Sequence, residues 1–316
     1  MENLTVGLAQ IVPVWMNREK TLEKILSFVS DAAEKDCEIV AVGGEAVLPG
    51  YPFWLELTGG AVFNSQIQKE FFAEYAKQAV QIERGDLQSL CALAAQKQIA
   101  IYVGIIERPP LRGGHSLYCS LVFINQAGEI KSIQRKLMPT YEERLAWSIG
   151  DGHGLRVHNV GAFTVGGLNC WENWMPLART ALYAQGEDFH VCAFPGSKRN
   201  TDDITRFIAK ESRSFCASVC AVMRKIDFPA ETLHLDKILE NAPDVLTDGG
   251  SCLASPTGEW IIAPHVGEEM LLTATIEHRV VREERQNFDP TGHYSRPDVL
   301  QLKVNRQRQT SLIIED

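Results

Sequence analysis

Short apolar runs of strand length alternate with amphipathic stretches of helical spacing along nearly all of this 316-residue chain, and few folds accommodate that alternation. Leu4 to Pro13 alternates apolar with small or polar groups and reads as a strand, while Lys20 to Ala33 places Leu22, Ile25, Leu26 and Val29 on one helical face. Ile39 to Gly43 is a short apolar strand that ends just before Glu45. Segments 64–80 and 86–97 are expected helices, the second capped by Asp86, and Ile99 to Glu107 is the next strand. Pro109-Pro110 and Gly113-Gly114 punctuate a loop before a hairpin of Leu117 to Ile124 and Glu129 to Arg135. Leu155 to Val160 and Phe163 to Leu168 form a further strand pair, and Pro176 opens a helix through about Gln185. Phe189 to Phe194 then reads as strand, Ile204 to Cys216 as helix and Ala217 to Met223 as strand. Ser251 to Ser255, Glu259 to Ala263 and Leu271 to Ile276 supply the last strands, and His278 to Glu284 a helix. Residues 226–249 show the least periodicity and are expected to be an insertion or long loop. Crossover helices imply parallel pairing and hairpins imply antiparallel pairing, so the chain specifies one mixed sheet or two sheets covered by helices. Periodicity alone leaves open whether there are two facing sheets or one doubly wound sheet.

Composition narrows the function classes. At 45% hydrophobic and 22% charged residues the chain resembles an ordinary globular protein, and no window approaches the roughly 18 apolar residues of a membrane span. The start, MENLTVGLAQIVPV, has no basic flank or cleavage site of a signal peptide, so a soluble cytoplasmic protein is expected. Eight scattered cysteines within apolar runs suit reduced core thiols rather than a disulfide framework. A net charge of −9 offers no footprint for nucleic acid. Gly150 to Gly154 (GDGHG) lacks the strand and helix of a dinucleotide site and reads as a turn. Cys216 and Cys220 have no matching cluster, and the eight histidines form no tandem, so neither metal nor cofactor is expected.

Three polar residues follow strand-like runs: Glu45, Lys136 and Cys170. A cysteine at a strand-to-helix junction meets exposed N–H donors that favour the thiolate, a buried carboxylate is a general base, and a lysine stabilises developing negative charge. Taken singly, each has a plain alternative: a strand-end cap for Glu45, an exposed lysine for Lys136 and a core thiol for Cys170.

The segment GLNCWENWMPLAR, residues 167–179, resembles the nucleophile segment of the nitrilase branch of the carbon–nitrogen hydrolase family. RKLMPTYEERLAW, from Arg135, resembles that family's lysine segment and carries Lys136 and Glu143; GGEAVLPGYPFW, containing Glu45, resembles its first glutamate segment. DPTGHYSRPDVL, from Asp289, resembles a stretch common in nitrilases. One departure is Gly43-Gly44, where the family has an apolar residue and a proline, a change expected to reposition the base or to admit a bulkier substrate.

The resemblance implies an α/β fold, a four-layer α-β-β-α sandwich with two mixed sheets facing each other. It implies one carbon–nitrogen hydrolase domain over residues 1–300, a tail at 301–316 that is a candidate oligomer contact, and a homodimer or higher homo-oligomer formed through helical faces. It further implies hydrolysis of a small-molecule nitrile, with Cys170 as nucleophile, Glu45 as base, Lys136 and the Trp171 N–H as stabilisers of charge, and Glu143 as orienter of Lys136. Tyr51, Trp54, Tyr141, Trp171, Phe194 and Pro195 are candidate pocket-wall residues, with Trp147 and Trp174 beside them; Arg179 is expected to be structural, pairing across an interface or with an acid. The alternatives are an amidase or N-carbamoyl hydrolase using the same residues, and a catalytically silent scaffold of the same fold.

Overall fold

Ile39 and Ala41 face one way from their strand and Val40 and Val42 the other, yet all four are buried. A strand covered on both faces needs a layer on each side. The computed structural model, which describes residues 2–110 and 114–313, supplies those layers. Gly113 of the expected loop and residues 314–316 of the tail lie outside the described residues.

The first half runs β1 (Asn3–Gln10), α1 (Arg18–Glu34), β2 (Ile39–Val42), α2 (Trp54–Leu57), α3 (Gln66–Gln78), α4 (Gln88–Lys97), β3 (Ala100–Glu107), β4 (Tyr118–Ile124) and β5 (Ile130–Arg135). Then follow β6 (His158–Val160), β7 (Phe163–Asn169), α5 (Pro176–Tyr183), β8 (Phe189–Ala193), α6 (Lys198–Ser212), β9 (Phe215–Val219) and β10 (Val222–Arg224). The chain continues through α7 (Leu235–Asn241), β11 (Val245–Ala254), β12 (Trp260–Val266), β13 (Met270–Glu277) and α8 (His278–Arg285). One sheet has the order β13-β1-β2-β3-β4-β5, with β1, β2 and β3 parallel. The other has the order β10-β11-β9-β8-β7-β6, with β7, β8 and β9 parallel and β12 added on β11.

The sheets face each other across an apolar interior. Leu4, Val6, Ile39, Ala41, Tyr102 and Phe123 of one sheet pack with Val165, Phe189, Val191, Phe215 and Ala217 of the other. The opposite faces are covered by helices: Val40, Val42 and Ile101 pack with Ile25 and Val29 of α1 and Leu90 of α4, while Cys192 and Phe194 side with Tyr183 of α5 and Ile204 and Ile208 of α6. The molecule is therefore a four-layer α-β-β-α sandwich. No helix of the described residues is long and apolar enough to cross a membrane.

Several local expectations change. The helix expected from Ile204 begins at Lys198 and ends at Ser212, because Thr201 and Thr205 fill buried positions that an apolar pattern cannot reveal; Cys216 then lies in β9. The strand expected from Ala217 to Met223 is two, interrupted at Cys220-Ala221. Within 226–249 lie α7 and the start of β11, a strand ten residues long that contains Gly249 and Gly250. Asp86 caps no helix; its carboxylate closes a turn by accepting from the Gln81 N–H and pairing with Arg84. Of Leu155 to Val160 only His158–Val160 is strand.

Gly44 marks one place where the two halves come within backbone bonding distance. Gly44 has φ +76°, and a Cβ there would lie 2.0 Å from the Phe194 carbonyl oxygen and 2.6 Å from that of Val219. The next residue crosses the gap, with the Glu45 N–H donating to Phe194 O at 3.1 Å. The space freed by glycine is thus occupied by backbone of the opposite sheet, not left for a larger substrate. Gly44→Ala should cost about 3 kcal/mol, combining a left-handed residue with a backbone clash; urea denaturation of the variant against the parent chain measures it.

Candidate active site

Four charged or nucleophilic groups converge from loops at strand ends. Glu45 sits three residues beyond β2, Lys136 directly follows β5, and Cys170 directly follows β7 as the first residue of a 3-10 turn, Cys170–Trp174. Glu143 comes from a second such turn, Tyr141–Leu145. Both turns carry the pattern in which an acid three residues on accepts from the backbone N–H at the turn's start: Glu143 Oε2 from Thr140 at 2.6 Å, and Glu172 Oε2 from Asn169 at 2.9 Å.

Lys136 is the hub. Its Nζ lies 2.7 Å from Glu45 Oε1 and 2.6 Å from Glu143 Oε2, and all three side chains are almost wholly buried. Carboxylate oxygens of Glu45 and Glu143 and Cys170 Sγ lie within 4.8 Å of one another. Such a donor set suits a cation, and the cation it surrounds is the Lys136 ammonium. Trp147 adds its ring face, with Nζ 5.5 Å from the ring centre. Cys119 Sγ donates to Glu45 Oε1 at 3.5 Å, whereas Glu45 Oε2 has no hydrogen-bond partner among the described residues.

Burial sets the proton affinities. It pushes Glu45 up to about 7, with Lys136 opposing and Glu143 reinforcing the rise. It likewise pushes the Cys170 thiol well up, helped by the neighbouring Glu45 carboxylate, so the sulfur rests protonated and needs a base. Burial disfavours charge on Lys136, but Cys170, Glu45 and Glu143 outweigh it and hold the ammonium well above its usual range. A thiol, a carboxyl poised near neutrality and a fixed cation are the components of acid–base-assisted nucleophilic attack.

The surrounding wall differs in part from the expected one. Tyr51 OH lies 2.9 Å from Glu143 Oε1 and 3.0 Å from Glu142 Oε1, and its ring meets Trp147 edge-on. Tyr141 and Trp171 are exposed on the flanks of the two turns. Trp54 is buried, stacked on Phe71 and edge-on to Tyr75, in an apolar cluster that also holds Trp147 and Cys119. Phe194 contributes its carbonyl to Glu45, while its ring packs among Tyr183, Cys192 and Ile208 on the helix-covered side; Pro195 follows, half-buried. Arg179 forms a two-pronged pair with Glu211.

Two supports escape sequence reasoning. Glu172 is buried and accepts from the Leu137 N–H at 2.7 Å and from Gln134 Nε2 at 3.1 Å, tying the Lys136 loop to the Cys170 turn; its spacing from Asn169 is the one available signal. Behind Lys136, Gly150 N–H donates to the Lys136 carbonyl, and the tail holds this loop through Arg308 on Asp151 at 2.8 Å and Gln309 on Gly150 O at 3.0 Å. The glycine-rich turn is thus the anchor of the tail.

The profile of a family described as Carbon-nitrogen hydrolase matches residues 5–286. The chain is 35% identical over 314 residues to a protein named Nitrilase 2 from an unknown prokaryotic organism, covering 99% of this chain and 96% of that one. It is 34% identical to Nitrilase 2 of Arabidopsis thaliana, over 94% of this chain and 87% of the plant protein. The crystal structure of a carbon-nitrogen hydrolase from Helicobacter pylori G27 shares the fold, with a TM-score of 0.66 at 19% identity over 94% of this chain and 96% of that one.

Lys136→Met strands buried carboxylates without their cation and should cost about 3–5 kcal/mol at pH 8. Because burial already raises Glu45 above its ordinary 4.5 while Lys136 pulls it down, losing the lysine raises it further. A carboxyl with a raised folded value binds its proton more tightly when folded, so stability falls as pH rises through that value. Denaturation at pH 6 and pH 8 should therefore show the variant's deficit shrinking at the lower pH.

Proposed function

The chain belongs to the nitrilase branch of the carbon–nitrogen hydrolase family, and on that premise we propose that it hydrolyses an organic nitrile to a carboxylic acid and ammonia. Cysteine-dependent hydrolysis of a carbon–nitrogen bond is the chemistry of the family, and the site has the groups for it. The observation that carries the residue assignments is the Glu45 carboxylate in one buried cluster with Cys170 Sγ, with Lys136 on its Oε1 and no hydrogen-bond partner among the described residues on its Oε2.

In this reading Glu45 takes the Cys170 proton as sulfur attacks the nitrile carbon, and the proton passes to nitrogen to give a covalent thioimidate. Water adds to that carbon with Glu45 as base, ammonia departs with the proton returned, and a thioester remains. A second water releases the acid and restores the thiol, so two waters are consumed per nitrile. Lys136 and the Trp171 N–H stabilise negative charge at the substrate heteroatom. Glu143 holds Lys136 in line, and Tyr51 holds Glu143. Nitrile rather than amide as substrate is supported by the Trp171-Glu172 pair after the nucleophile and by the segment from Asp289. That segment packs near the nucleophile's helix, Thr291 Oγ1 donating to Tyr183 O at 3.1 Å.

The same reading extends to self-association. Trp174, Leu177 of α5 and Phe207 of α6 are exposed apolar side chains, and a second copy is the proposed cover of the face that carries Leu177. Leu177→Asp should shift the protein to a smaller species in sedimentation velocity; an unchanged species would remove this face as the interface.

A panel of nitriles, amides and N-carbamoyl compounds scored for ammonia and acid tests the substrate class, and acid from amides alone would replace the nitrile assignment. Cys170→Ala should abolish turnover and any substrate adduct in intact-protein mass spectrometry. Glu45 must be ionised to accept the thiol proton, so kcat/KM should rise with pH and level off above about 7, the value to which burial brings this carboxyl.

A further inference from the structure

Cys170 has φ +46°, a left-handed conformation that a residue with a side chain keeps only when its surroundings enforce it. What enforces it lies on the helix-covered side of the second sheet. Asn173 Nδ2 donates to the Cys170 carbonyl at 2.8 Å and to that of Leu168 at 3.2 Å. With the amide nitrogen committed to two carbonyls, the amide oxygen faces His190 Nε2 at 2.8 Å. That oxygen only accepts, so Nε2 carries a hydrogen. The other ring nitrogen, Nδ1, lies 2.9 Å from Glu187 Oε1, and the two share a proton. Glu187, His190 and Asn173 are fully buried. Room for the carboxyl exists because residue 166 is glycine, whose Cβ would fall 2.0 Å from Glu187 Oε1.

The chain of contacts ends on the peptide that joins the nucleophile to its neighbour. A peptide unit is planar, so gripping the Cys170 C=O also fixes the direction of the Trp171 N–H on the opposite edge. We propose that Glu187, His190 and Asn173 form a buried positioning relay that sets the Cys170–Trp171 peptide plane and thereby aims Cys170 Sγ and the Trp171 N–H at the substrate. None of the three touches substrate; they are positioning residues, and their role rests on Cys170 being the nucleophile. Charge on His190 is consistent with this: burial opposes it, but Glu187 and Cys192 prevail and push the imidazole up to about 10.

Three variants and one spectrum test the relay. Asn173→Asp keeps the shape but lacks the N–H for the Cys170 carbonyl, so kcat should fall about 30-fold or more, by misplacing an oxyanion donor, with KM within about threefold. Cys170 should still be alkylated by iodoacetamide in that variant. His190→Gln retains a donor toward Asn173 and should keep most of the activity that His190→Leu loses, a rescue that a purely packing role would not produce. Wild-type kcat in Asn173→Asp, or equal losses in the two His190 variants, overturns the relay. If the variants do not fold, nitrogen NMR of ring-labelled histidine in the native protein decides: the relay requires His190 Nε2 to stay protonated from pH 6 to 9, and an unprotonated Nε2 overturns it. Turnover surviving in Cys170→Ala would instead overturn the nucleophile assignment beneath it.

Discussion

A buried ammonium cannot be left alone, and the construction around Lys136 follows from that constraint. An unpaired charge in a protein interior costs several kcal/mol, and a pair repays the cost only with close geometry and further hydrogen bonds. Lys136 meets the requirement with two carboxylates at 2.6 and 2.7 Å, from loops that begin after different elements. Each carboxylate is itself held: Glu143 by Thr140 and Tyr51, Glu45 by Cys119 and by its own N–H on Phe194 O. One electrostatic requirement thus ties together two loops, the one after β2 and the one after β5, and the Cys170 turn is bound to the second through Glu172.

That placement depends on two sheets meeting at a fixed separation. Glu45 follows β2 of the first sheet and Phe194 follows β8 of the second, and Gly44 lets their backbones come within bonding distance. At Gly44 the departure is a matter of how closely the layers approach, whereas a side chain at Gly43 would meet Val47 and Ile11.

Much of the fold was legible because a strand buried on both faces reads as a near-continuous apolar run, as β2 and β3 up to Ile106 do. Legibility failed where burial is polar. Threonines at 201 and 205 conceal the start of α6, and the glycines at 249 and 250 interrupt the pattern of β11. In the site, Glu45, Lys136, Glu143 and Cys170 were all readable from their segments, and the structure brings them together. The surroundings of Trp54 were not legible, because an aromatic near a motif has no direction until its neighbours Phe71 and Tyr75 are known.

By itself the chain's order of apolar runs and polar punctuation determined the alternation of strands and helices and put the chemical residues at strand ends. Those are local properties, set by side-chain period and by backbone preferences at turns. The tertiary structure decided that the strands form two facing sheets, that Lys136 lies between carboxylates 91 residues earlier and 7 later in the chain, and that His190 stands behind the nucleophile's carbonyl. Contacts across such distances depend on which faces are buried together, and that is a property of the packed layers rather than of any one segment.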